Sequence, residues 1–208
     1  MKHWNHAIAA LVFALIVVGI FPWASVAASE PSEPSIEQTF QKAKRDYLDK
    51  NMDSAAAQIT KGAVFMKEET AGASDQGKAA LAASAKELEE LAGDVKRGSV
   101  KSVKIIEAAF ARAYLALAKD AHVKSSQSWA EKQAQKAGEG LEKAGEHLER
   151  SFSWAGHKVE SKTKEVMQKS KELSLKLREK GLVIAENVGK GLRETGNEID
   201  QFGKKIAP

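Results

Sequence analysis

Residues 75–97 read DQGKAALAASAKELEELAGDVKR, and within them Leu81, Ala85, Leu88, Ala92 and Val95 recur at strict 4-3 spacing. That period lines all five along one stripe of an α-helix but scatters them over both faces of a strand. The next segment keeps the register with Val103, Ile106, Phe110, Ala113 and Leu117. It extends toward Lys132, with Ser125-Ser126-Gln127-Ser128 as a candidate break. Upstream, Ser35-Ile36-Glu37-Gln38 spells a capping box, and Ile36, Phe40, Ala43 and Tyr47 then share one face. Asp53 is placed to cap a second helix with Ala56, Ile59, Ala63 and Met66 on its inner face. Residues 71–77 read as a loop with Asp75 as the following cap, and Gly98-Ser99 can stop that helix and cap the next. A fifth helix, about residues 135–155, sets Ala137, Gly138, Gly140, Ala144 and Gly145 around Leu141 and Leu148. No proline falls between Pro34 and Pro208, and no segment shows the alternation of a strand. The expectation is an all-α protein: an antiparallel helical bundle over residues 35–155, with small residues drawing the helices close.

The first residues read as an address. Met1–His6 is polar with one lysine, residues 7–21 are apolar, Pro22 breaks the run, and Trp23-Ala24-Ser25-Val26-Ala27-Ala28 supplies small residues. This is the order of a secretory signal, and removal after Ala27 or after Ala28 fits equally well. Residues 1–28 are therefore expected to direct export, to a periplasm or outside the cell, with 29–34 as a linker. An uncleaved anchor is the alternative, although the run of 15 residues is short for a span of about 20. The chain has no cysteine, so no disulfide, thiolate metal site or thiol nucleophile enters the account. Its 32 Lys and Arg are interspersed with 28 Asp and Glu, not gathered into the basic field of a nucleic-acid binder.

An internal repeat runs through the bundle. Residues 47–56, YLDKNMDSAA, align 82 positions later with 129–138, WAEKQAQKAG. The match continues through Ile59/Leu141, Lys61/Lys143, Ala63/Gly145 and Met66/Leu148. Each copy reads as a helix end, a two-residue turn and a new helix with small residues at the crossing. With an aromatic nine residues before a small residue, each resembles the second half of a tetratricopeptide-type hairpin, without that array's 34-residue period. Two such hairpins behind a signal peptide also resemble the YfdX family of enterobacterial periplasmic helical proteins. That resemblance covers about residues 40–150 and rests on Arg45-x-Tyr47-Leu48-x-Lys50 and Ala56-x-x-Ile59-x-x-x-Ala63. It implies a stress-linked periplasmic protein without enzymatic activity; the long basic tail departs from it.

Composition changes near residues 151–158. Alanine occurs 24 times in residues 35–150 and three times in 151–208, and the tail holds 12 basic against 8 acidic groups. Residues 156–208 read as one long amphipathic helix. Its stripe includes Leu177, Ile184, Val188, Leu192, Ile199, Phe202 and Ile206, and Gly189, Gly196 and Gly203 recur at heptad positions as a close-packing seam. In composition the tail resembles the 11-residue amphipathic repeats of apolipoprotein-like and late-embryogenesis-abundant proteins. The stripe suits another helix, in this chain or a second copy, or an anionic membrane surface, or else the tail stays disordered until triggered.

Residues 72–78, GASDQGK, spell the start of a phosphate-binding loop, but Ala79 stands where a magnesium-binding hydroxyl belongs and a helix precedes it. His122, His147 and His157 sit in no metal-binding spacing. The acidic runs Glu87, Glu89, Glu90, Asp94 and Glu142, Glu146, Glu149 read as solvated helix faces, and Trp129 and Trp154 as packing or hinge residues. The sequence offers no catalytic, cofactor or metal residue and no small-molecule substrate. It points to a non-enzymatic exported protein acting through helix-mediated contact, with itself or an envelope partner. The alternative is a membrane-surface or stress-protective protein whose tail binds anionic lipid.

Overall fold

A computed structural model describes residues 35–179 and 184–207; the expected signal peptide and linker lie outside them. Seven helices account for nearly all of it: α1 Ile36–Leu48, α2 Met52–Ala71, α3 Asp75–Lys96, α4 Val103–Ala130, α5 Ala134–Ala155, α6 Ser161–Arg178 and α7 Ala185–Ile206. The described residues contain no strand. The protein is an all-α bundle. Each helix packs on the next, and the chain closes by bringing α7 back onto α4, which also touches α1, α3 and α5.

Local chemistry sets most boundaries. The capping box forms: the Gln38 N–H donates to Ser35 Oγ at 3.3 Å, and the Ser35 N–H to Gln38 Oε1 at 3.1 Å. Two expected caps move. Ser74, not Asp75, caps α3, its Oγ accepting from the Gly77 N–H at 3.0 Å. Asn51 precedes α2, and Asp53 falls inside its first turn. A serine that can orient its oxygen toward open N–H groups displaces the neighbouring acid from the cap. Ser102 caps α4, while Ser99 bonds back to the Asp94 carbonyl at 2.9 Å. Helix α4 runs through the suspected break at 125–128. Ser125 is fully buried, and its hydroxyl donates to the Ala137 carbonyl of α5 at 2.6 Å.

The repeat is structural. At the α1–α2 turn the Lys50 N–H bonds to Tyr47 O and the Asn51 N–H to Asp46 O; at the α4–α5 turn Lys132 and Gln133 bond to Trp129 and Ser128 in the same way. Lys50 and Lys132 both take left-handed backbone, φ 64° and 61°. These are Schellman closures with lysine at the position glycine usually holds.

The tail departs from the expectation of one helix over 156–208. It folds into α6 and α7, with Ile199, Phe202 and Ile206 joining the same apolar core as Phe40, Ile59 and Phe110. One straight helix from 161 to 206 would be about 69 Å long, against about 42 Å for α4, and would strand its last apolar residues beyond the bundle. Folding back buries them. The compositional boundary is thus not a packing boundary.

Replacing Lys50 or Lys132 by glycine should raise stability by up to about 1 kcal/mol at each site, because the side-chain clash of left-handed backbone is removed. Urea unfolding of the two single variants measures it.

Candidate functional site

The tail stripe is spent inside the chain. Leu177, Val188 and Leu192 form a small cluster with Ala137, Leu141 and Leu173, while Ile199, Phe202 and Ile206 enter the main core. Phe202 stacks on Phe152 with ring centroids 3.7 Å apart. His122 Nε2–H donates to the Leu192 carbonyl at 2.8 Å. Arg112 donates to the Ile206 carbonyl at 3.2 Å while its other nitrogens hold Glu87. Ile184 is the exception, 67% exposed. Of the seam glycines, a Cβ at Gly196 would stand 2.7 Å from the His122 ring and one at Gly203 would stand 3.3 Å from Leu115. Gly189 would meet only its own helix's Arg193; at Gly191 a Cβ would meet the end of the Leu173 side chain at 2.6 Å, so this is the α7 glycine that faces α6. The heptad reading failed there because the packing face is set by α6 as well as α4.

The phosphate-loop look-alike has another purpose. Asp120 Oδ1 accepts from the Ser74 N–H at 2.7 Å and the Ser74 hydroxyl at 2.8 Å, and Lys124 reaches the other oxygen at 2.6 Å. A Cβ at Gly77 would lie 2.1 Å from Asp120. A buried carboxylate occupies the mouth of this loop, where a phosphate would be repelled.

At one end of the bundle Glu37 gathers four donors. Its carboxylate accepts from Tyr114 Oη at 2.7 Å, Arg150 Nη1 at 3.1 Å, Trp154 Nε1 at 3.3 Å and Gln41 Nε2 at 2.8 Å. Burial alone would raise the Glu37 pKa, but these donors outweigh it and hold the group below the usual carboxylate range. Burial, with the Glu37 bond behind it, pushes the Tyr114 hydroxyl upward. Phe40 and Phe110 stack beneath at 3.9 Å, with Trp154 edge-on to Phe110 at 5.0 Å. Next to Tyr114, His147 has a buried Nδ1 without a hydrogen-bond partner among the described residues. Burial, then Arg150 and Lys143, push its pKa down to about 4. Trp154 is therefore a core residue that anchors α5 to α1. The Glu37 carboxylate is engaged by its four donors, and the cluster fastens α5 to α1 and α4.

The open feature lies beside it, between α5 and α6. These helices touch at one end, where a Cβ on Gly138 would stand 2.7 Å from the Ser174 carbonyl oxygen, and part by Gly145, where a Cβ would meet nothing within 4 Å. The resulting groove has a volume of about 480 Å³. Its floor is Leu141, Gly145, Val159 and Met167. One wall is acidic, Glu142, Glu146 and Glu149; the other carries Lys164, Gln168 and Lys171. Among the described residues, the one ion pair joining α5 to α6 is Glu142–Arg178. Sequence reasoning saw the acids only as a solvated face and missed the opposite wall. The signal was present: Lys162-Thr163-Lys164-Glu165, Lys169-Ser170-Lys171-Glu172 and Lys176-Leu177-Arg178-Glu179 repeat every seven residues.

No group of three or more His, Cys, Asp or Glu is placed to hold a metal among the described residues. None of the described helices is long and apolar enough to cross a membrane. Compared with known protein families, with curated proteins and with solved structures, the chain matches none.

His147 gives the bundle a pH dependence with a definite sign. Its folded pKa of about 4 lies below the ordinary 6.5, so the unfolded chain binds the extra proton first as pH falls. Stability is full above pH 6.5 and declines toward pH 4, by about 3 kcal/mol for this group. His147→Leu should flatten the unfolding free energy between pH 6.5 and about 5.5, where the carboxylates remain largely ionised. Urea titrations at several pH values check this.

Proposed function

We propose that the chain is an exported, non-enzymatic helical protein that acts by contact, its α5–α6 groove engaging a helix of another copy or of an envelope protein. The observation that carries the reading is the parting of α5 from α6. It leaves an apolar floor between an acidic and a basic wall, the arrangement that receives an amphipathic helix with charged flanks. Export rests on the leader, and a stress-linked role on the YfdX-type resemblance.

A second reading, contact with an anionic membrane, draws on α6, whose Lys162, Lys164, Lys169, Lys171, Lys176 and Arg178 face only Glu165 and Glu172 on the same helix. Two observations weigh against it. Apart from Ile184, the apolar stripe is buried within the chain. Helix α7, which carries most of that stripe, balances Lys190, Arg193, Lys204 and Lys205 against Glu186, Glu194, Glu198 and Asp200. Insertion needs apolar residues at the surface as well as positive charge.

A photo-crosslinking amino acid at Gln168, on the groove wall, should capture a discrete protein adduct in the envelope of producing cells. Absence of any adduct would overturn the contact reading. The intact chain should fail to float with anionic or neutral vesicles at low or high salt, whereas salt-sensitive flotation with anionic vesicles would favour the second reading. The intact chain is needed because removing the tail would uncover Phe152 and Leu115.

A further inference from the structure

We infer that the α5–α6 groove is a self-complementary interface on which a second copy of this chain docks, about a two-fold axis running along the two helices. The inference rests on the contact reading above and names the occupant.

Charges are left over along the groove. Glu146 and Glu149 on α5, and Lys164 and Lys171 on α6, are exposed and take part in no ion pair among the described residues. They stand on opposite walls of one groove and form no ion pair with each other. Both rows repeat in the same step. Glu142 and Glu149 are seven residues apart on α5, as Lys164 and Lys171 are on α6. Seven residues keep one face of a helix and rise about 10.5 Å. Two surfaces with this common step can pair charge for charge along their length.

Symmetry then decides which arrangement works. A homodimer interface places the same patch of both copies face to face. A two-fold axis in the interface and across the helices would lay α5 on α5 and α6 on α6, acid on acid and base on base. An axis along the helices lays each α5 on the partner's α6, so each acidic row meets one basic row and the dimer holds two matched pairs. The second copy is therefore an occupant whose charge pattern the groove already specifies. Apolar surface supports it. Leu175, 41% exposed, is four residues beyond Lys171 and seven beyond Gln168, on the face that α6 turns to the groove.

The test uses protein expressed from the full chain and purified from the compartment it reaches, examined by sedimentation equilibrium over a range of concentrations. Wild type should show a concentration-dependent dimer that weakens with salt. Glu146→Lys with Glu149→Lys should weaken dimerisation at least about tenfold, as should Lys164→Glu with Lys171→Glu, because each sets like charges together. An equimolar mixture of the two variants should recover a heterodimer, since the reversed α5 of one meets the reversed α6 of the other. These positions are exposed, and unchanged circular dichroism and melting of each variant confirm the fold. A wild type that stays monomeric, variants that dimerise like wild type, or a mixture that recovers nothing each overturns the inference. A Gln168 adduct to a different protein alongside a monomeric chain would overturn this inference and leave the contact reading standing.

Discussion

Helix α4 carries alanine at many of its crossing points, and the bundle is built around the short distances this permits. Ala109, Ala111, Ala113, Ala116, Ala118 and Ala121 are all buried on it. Where the backbones come closest, the contact is made through hydroxyls: Ser151 donates to the Ala111 carbonyl and Ser125 to the Ala137 carbonyl, each at 2.6 Å. Gly140 belongs to the same crossing, since a Cβ there would stand within 3.0 Å of the Ser125 backbone. Such crossings bury less apolar area per residue than a leucine seam but gain dispersion contacts through close approach. They also lower the tolerance for larger side chains, because neighbouring backbone cannot rotate away.

The large side chains are concentrated to compensate. Phe40, Phe110, Tyr114 and Trp154 meet in one aromatic cluster between α1, α4 and α5, closed by the Glu37 carboxylate. Phe152 and Phe202 form a second, which fixes the returning tail. The α6–α7 contact is more polar: the Thr163 hydroxyl donates to Glu198 at 2.8 Å, and Ser170 and Thr195 share a bond at 2.5 Å. Buried hydroxyls joined this way specify register, because a slipped pairing would leave them unsatisfied.

Helix α5 lies between α4 and α6. It is tied to α4 through Ala137, Gly140 and Ser151, and drawn against α6 at Gly138. The gap to α6 opens at Gly145 toward Val159. Charged side chains line it because their ends remain in water.

Much of this could be read along the chain. The 4-3 period of Leu81 to Val95, the Ser35–Gln38 box and the alignment of Lys50 with Lys132 follow from local rules, and each appears in the structure. Helix class and hairpin turns depend on neighbours within a few residues, which is the range a sequence pattern covers. The path of the tail does not. Whether residues 156–208 run on as one helix or turn back depends on Phe202 finding Phe152 and Ile206 finding Arg112, partners 50 and 94 residues away. The α5–α6 groove likewise depends on how α5 seats between α4 and α6, which no local pattern specifies. Periodicity fixed what each helix hides; only the packed chain decided which neighbour hides it and which charges were left facing outward.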